Sequence, residues 1–235
     1  MKIPERVNIR GALVYPFESA DQLIDFADTH KGILVAVNAH KLLDADEITL
    51  PIINNNIAYC DGAGAVAAAK IKGAENAVRI AGCELWLRII ERFHASRSFY
   101  IIGAKPQVHQ QTIEKLRSIY PGISIAGHRD GYIRTEAERE ALLADIERTR
   151  PDIVFVAMGS PRQEILMSDM LKRHRAIYQG LGGSFDVFTG VVPRAPEWMR
   201  RNKLEFLYRL YRQPSRIKHD IDYLRFVWWY ITKNF

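Results

Sequence analysis

Cysteine is scarce: Cys60 and Cys83 are the only two among 235 residues. They lie 23 positions apart in apolar settings, without the paired spacing of a metal knuckle. The sequence therefore predicts free thiols in a reducing cytoplasm and excludes a disulfide scaffold. No stretch reaches the ~18 consecutive apolar residues of a membrane-spanning helix. Met1–Arg6 is followed by no long apolar run, so no signal peptide is expected. The seven histidines show no ligand spacing, and no Gly-x-x-x-x-Gly-Lys-Ser/Thr phosphate loop occurs. Gly62-Ala63-Gly64 lacks the third spaced glycine of a dinucleotide fingerprint. Internal repeats and low-complexity segments are also absent.

What is present is ordinary for a globular protein, with 48% apolar and 26% charged residues. The net charge of +6 is concentrated at one end. From Arg194 onward there are ten Lys/Arg against four Asp/Glu, and 10 of the 24 aromatic residues. A neutral body, residues 1–193, thus carries a basic, aromatic appendage, residues 194–235.

Short apolar runs alternate with helical segments of 10–15 residues along the body, the pattern of a doubly wound α/β fold with a mostly parallel sheet. Strands are expected at Val7–Tyr15, Gly32–Val37, Ile57–Cys60, Ser98–Ile102, Ile123–Ala126 (ending near Gly127 and His128), Asp152–Ala157 and Ala176–Leu181. Helices are expected from Ser19 to about Thr29, over the alanines after Gly62, and over Glu84–Phe93. Others should open at Pro106 and span Glu136–Arg148. The run Asp152–Glu164 organises the rest. It reads as a buried strand, a sharp turn at Gly159, and a helix with Ser160 as N-cap and Pro161 at its first position. Ser160-x-x-Gln163 also fits a capping box that any helix could use.

Function is suggested by where the strands stop. Asn38, Asp61-Gly62, Gly103, Gly159-Ser160 and Gly182-Gly183 each follow the last apolar residue of a strand. In an open parallel sheet these carboxyl ends share one edge, where ligands bind. Glycine turns and helix N-termini there suit phosphates, so a nucleotide or sugar-nucleotide site is favoured. Asp61 is the candidate base, with an Asx turn or a cap on the following helix as its structural alternative. Asn38 either orients a hydroxyl or satisfies a turn. Arg79 either contacts phosphate or forms a surface ion pair. Asp44-Ala45-Asp46 has a spacing that holds a divalent metal in some enzymes. It lies in a polar segment, though, so a solvated helix face or loop is preferred, and neither metal nor other cofactor is assigned.

Apolar residues at three- and four-residue spacing predict two amphipathic helices in the appendage, divided by Gln213-Pro214-Ser215. Its Trp, Tyr and Arg suit an anionic bilayer surface; packing on its own domain and RNA binding remain the alternatives.

Several of these residues resemble the WecG/TagA/CpsF glycosyltransferases (glycosyltransferase family 26). The resemblance rests on Ala157–Glu164, on Gly180–Gly190 and on Arg194-Ala195-Pro196. It extends to Val37-Asn38-Ala39, Asp61-Gly62-x-Gly64, Arg79-x-x-Gly82, Gly131-Tyr132, Tyr208-Arg209-Leu210 and Gln213–Arg216. It departs at Glu84, where Asp is usual, at Ala104, and over Asn202–Phe206.

The resemblance implies an inverting, metal-independent enzyme that takes a UDP-sugar donor. The implied acceptor is an amino sugar on undecaprenyl diphosphate at the cytoplasmic face of the plasma membrane. No nucleic acid is implied, and oligomeric state, a homo-oligomer included, stays open. The mannosaminuronic-acid type is nearest, with N-acetylmannosamine or glucose as donor alternatives. A non-catalytic nucleotide-binding module on membrane or RNA is the reading from another class. The resemblance further implies that Asp61 is the base and that Asn38 and Gln163 line the site. Around the donor are expected Arg79, Gly103, Gly159, Ser160, Pro161, Arg162, Gly182, Gly183 and Asp186. From the appendage, Arg194, Arg209, Arg212 and Arg216 are expected on the phosphates.

Overall fold

The computed structural model describes residues 4–193. The appendage, with Arg194, Arg209, Arg212 and Arg216, lies outside the described residues.

The chain opens with a small hairpin, β1 (Val7–Ile9) and β2 (Ala12–Val14), where one continuous strand was expected. Gly11 breaks the run by turning at φ +88°. Tyr15, just after β2, bonds to the main sheet, donating its N–H to Ala58 O at 2.8 Å. Helix α1 (Ala20–His30) follows, and its cap is the expected Ser19, whose hydroxyl accepts from Gln22 N.

Next come β3 (Gly32–Val37), α2 (Ala39–Leu43), α3 (Thr49–Asn54), β4 (Ile57–Cys60), α4 (Ala63–Ile71) and α5 (Gly82–Phe93). The second half holds β5 (Ser98–Gly103), α6 (Pro106–Ile119), β6 (Ser124–Arg129) and α7 (Glu136–Thr149). It closes with β7 (Ile153–Ala157), α8 (Arg162–Arg173), β8 (Ile177–Gly180) and α9 (Ser184–Thr189). Strands β3–β8 form one all-parallel sheet in the order β4-β3-β8-β7-β5-β6. The α/β fold class follows.

Two apolar cores sandwich this sheet. One face packs Leu23, Trp86, Ile113 and Phe185 from α1, α5, α6 and α9; the other packs Ile53, Ala65, Ile146 and Met167 from α3, α4, α7 and α8. On α5 the buried residues Leu85, Trp86, Ile89, Ile90 and Phe93 recur at three- and four-residue spacing, which fixes the face it presents to the sheet. Trp86 meets Phe155, Phe185 and Phe188 edge-on, so one indole joins β7 and α9. Each such large side chain contributes about 1.5–3 kcal/mol by leaving water.

Strand β6 runs to Arg129, beyond the end expected near Gly127. Gly127 serves packing there: a Cβ on it would lie 2.3 Å from the Tyr100 ring. No helix among the described residues is long and apolar enough to cross a membrane.

Candidate active site at the carboxyl edge of the sheet

Because all six strands run the same way, their carboxyl ends form a single edge. Along it follow Asp61 after β4, Asn38 after β3, Gly182 after β8, Gly159 after β7 and Gly103 ending β5. Parallel strands lie 4.7–4.9 Å apart, so β4 and β5, four strand spacings apart, put Asp61 and Gly103 at about 19 Å.

Asp61 is placed by long-range contacts. Its N–H donates to Val37 O at 2.8 Å, and its Oδ1 accepts from Gly82 N at 3.2 Å. The carboxylate thus sits at the N-terminus of α5, where partial positive charge favours an anion. The helix-cap alternative did not form: α4 is capped by Gly62, with no side-chain bond. Gly82 is gripped from three sides. Gln179 Nε2 donates to its carbonyl at 3.0 Å, and a Cβ on it would stand 2.9 Å from Tyr59 Oη. Burial pushes the Tyr59 phenol well above its usual pKa, and the Asp61 carboxylate adds to the effect. Tyr59 therefore stays protonated beside the carboxylate.

Asn38 caps α2 by accepting from Lys41 N at 2.9 Å, so its carbonyl oxygen satisfies a turn. Arg79 is exposed in the segment before α5. Ile80 N, the next amide, bonds Cys60 O at 2.9 Å and holds this segment against the end of β4.

The turn after β7 corrects one expectation. Helix α8 begins at Arg162 with Pro161 as its cap residue and no side-chain cap, so Ser160 caps nothing. The Ser160–Pro161 peptide is cis. The partner needed for a capping box is engaged elsewhere: Gln163 is 6% exposed and turned inward. Its Oε1 accepts from Gly159 N at 3.2 Å and Gly182 N at 3.0 Å, tying together the turns after β7 and β8. Its Nε2 donates to Glu164 Oε1 at 3.1 Å.

Glu164, only 3% exposed, also takes Lys41 Nζ at 2.6 Å. Burial opposes its ionisation, but the Lys41 ammonium prevails and holds the carboxyl below its ordinary pKa. Lys41, Glu164, Tyr59 and Gln179 were missed in the sequence. Gln179 alone left a signal, a polar residue inside an apolar strand.

On the other half of the edge, Gly103 (φ +120°) and Ala104 (φ +61°) form the turn between β5 and α6. A Cβ at Gly103 would meet Ala157 O at 2.3 Å, so only glycine fits. Pro161 and Arg162 are exposed at the mouth of α8, Gly183 is exposed, and Asp186 is half-buried on α9. A groove of ≈ 540 Å³ opens beside this half, between β6 and α7, and its lining includes Arg129, Asp130 and Tyr132.

The Asp44/Asp46 pair sits away from strand ends. Asp46 Oδ1 accepts from Ile48 N, Thr49 N and the Thr49 hydroxyl, so this carboxylate caps the turn into α3. The Cys60 thiol is buried, and burial pushes its pKa up to about 12, so it carries no thiolate at neutral pH.

A strand-end carboxylate stands at one end of this edge, and glycine turns with helix N-termini occupy the other. Such a surface suits a ligand with an anionic middle and a reacting hydroxyl at one end. A sequence model of the Glycosyl transferase WecG/TagA/CpsF family matches residues 8–235.

Proposed function

The chain belongs to the WecG/TagA/CpsF glycosyltransferases, enzymes of cell-surface polysaccharide synthesis, and from that premise we propose its reaction. It moves a sugar of the N-acetylmannosaminuronic acid or N-acetylmannosamine type from UDP to an amino sugar on undecaprenyl diphosphate. The transfer inverts the anomeric centre and needs no metal. Asp61 takes the proton from the acceptor hydroxyl, whose oxygen attacks the anomeric carbon from the face opposite the diphosphate. UDP leaves with the bonding electron pair. The donor lies along the sheet edge, with its nucleotide toward Gly103 and the β6 groove and its sugar toward Asp61 and Asn38. Fixed N–H groups at the starts of α6 and α8 face the diphosphate, and the appendage arginines complete its charge balance. The appendage holds the enzyme to the anionic inner face of the plasma membrane.

The observation that carries this reading is the Asp61 carboxylate, held by Gly82 N at the end of β4. One experiment tests it: UDP-sugar and lipid-linked amino sugar incubated with chelator present. Wild-type protein should transfer the sugar. Asp61→Asn, which keeps the shape and removes the proton acceptor, should turn over about 10²–10⁴-fold more slowly with UDP affinity little changed. Near-normal turnover in Asp61→Asn would remove the base. Activity that requires added Mn²⁺ or Mg²⁺ would remove metal independence.

A further inference from the structure

We propose that His109 is a positioning residue for the donor nucleotide, acting through the Gly103–Ala104 turn; this rests on the reading of the edge as a UDP site. His109 lies in the second turn of α6 and is 4% exposed. Its Nδ1 is 3.1 Å from Gly103 O, and its Nε2 is 3.0 Å from His128 Nδ1 on β6. A carbonyl only accepts, so His109 Nδ1 carries the hydrogen; in the neutral ring its Nε2 then carries a lone pair, and His128 Nδ1 donates to it. One directed chain therefore runs from β6 through α6 to the end of β5.

The turn needs such a hold. Two successive residues have positive φ, and Ala104 is not glycine. Ala104 N donates to Ala157 O and Ala104 O accepts from Gly131 N, each at 2.9 Å, so this turn ties the ends of β5, β7 and β6 together. It lies where the chain leaves β5 toward β6 but leaves β7 toward β8, a place where open α/β sheets bind ligands. His109 is itself buried, so its effect reaches the ligand through the two groups it holds, Gly103 O and the His128 ring, which lines the β6 groove. Losing it should weaken donor and transition-state binding alike, which raises KM and leaves kcat nearly unchanged.

The test compares His109→Leu, which removes the donor, with His109→Asn, whose amide nitrogen can replace Nδ1, and with His128→Ala, which removes the outer link together with a ring that lines the β6 groove. UDP affinity by calorimetry, steady-state kinetics and amide exchange at Ala104 are measured in each full-length protein. His109→Leu should raise the UDP Kd and the donor KM about 10-fold, the scale of one lost buried hydrogen bond. Its kcat should change less than about 3-fold, and Ala104 exchange should quicken. His109→Asn should return to within about 3-fold of wild type, and His128→Ala should fall between. Folded His109→Leu with wild-type UDP affinity, or with a loss confined to kcat, overturns the proposal. If that variant does not fold, His109→Asn and His128→Ala decide. An Asn variant that binds UDP 10-fold more weakly, or an Ala variant identical to wild type in affinity and exchange, overturns it. Wild-type protein that fails to bind UDP overturns the nucleotide reading, whereas unchanged Ala104 exchange in His109→Leu overturns the positioning role alone.

Discussion

Replacing Lys41 with Met should destabilise this protein far more than losing a surface ion pair. The Lys41 and Glu164 side chains are 15% and 4% exposed, and their charged atoms are 2.6 Å apart. Glu164 Oε1 also takes the Gln163 amide, while Oε2 is buried with no partner among the described residues. Without Lys41, a buried carboxylate would keep one neutral donor. Breaking such a pair costs about 3–5 kcal/mol, and partial solvent access at Lys41 places this one near 3. A chain of this length loses roughly 2–4 °C of Tm per kcal/mol, so Lys41→Met should melt about 6–12 °C lower. Glu164→Gln should cost only about 1 kcal/mol, because the freed ammonium can turn toward water. The double variant should resemble Glu164→Gln, since it buries no charge.

Urea titrations of all four proteins close the cycle, with a coupling of about 3 kcal/mol expected. The pH dependence supplies a second check. Lys41 depresses the Glu164 pKa below its ordinary 4.5, so its stabilisation is full above that value and lost as pH falls through the folded pKa. The gap between wild type and Lys41→Met should therefore close in acid. A cost below about 1 kcal/mol, or a double variant no more stable than Lys41→Met, would refute the reasoning.

Three further outcomes are expected. Gly82→Ala would place a Cβ 2.9 Å from Tyr59 Oη and 3.5 Å from Asp61 Oδ2; it should cost about 1–3 kcal/mol and slow transfer more than it weakens UDP binding, and wild-type kinetics would dismiss Gly82 as the anchor of Asp61. Burial and His128 hold the His109 pKa below its ordinary 6.5, and burial and Arg117 act likewise on His128; Tm should fall below pH 6.5, less steeply in His109→Asn, and parallel curves would remove His109 as the source. Replacing Arg209, Arg212 and Arg216 together by Ala should raise donor KM with a short, soluble acceptor analogue as well as release the protein from anionic liposomes; unchanged turnover of that analogue would leave these arginines a purely anchoring role.

The sheet was legible because its inner strands are buried on both faces and so read as unbroken apolar runs, as in Gly32–Val37 and Ile153–Ala157. Strand β6 was less so. It is an edge strand with partly exposed residues, and Gly127 mimics a terminator while making room for the Tyr100 ring. The positions of Asn38, Asp61 and the glycine turns followed directly from the strand ends. Their partners did not. Asp61 and Gly82 are 21 residues apart, and Lys41 and Glu164 are 123 apart. Periodicity carries no information about such pairs, which exist only once β3, β4 and β8 lie side by side.

The same limit explains Ser160, and it changes how Gln163 acts. Read locally, Ser160-x-x-Gln163 is a capping box; in the fold, Gly182 N from the next strand competes for the same amide oxygen and shares it with Gly159 N. The Gln163 side chain, expected to line the site, braces the two turns from inside. Its other end rests on Glu164 and, through that carboxylate, on Lys41. The Lys41 backbone N–H in turn holds Asn38 Oδ1. One buried polar chain thus sets three of the strand ends, Asn38, Gly159 and Gly182, relative to one another. Each link from Lys41 to the two glycine amides is a hydrogen bond of 3.2 Å or less, while Glu164 Oε2 is left without a partner among the described residues, which makes this network costly to disturb. Loss of activity on mutating Gln163 would therefore report a displaced edge before it reported a lost contact with substrate, and UDP affinity separates the two.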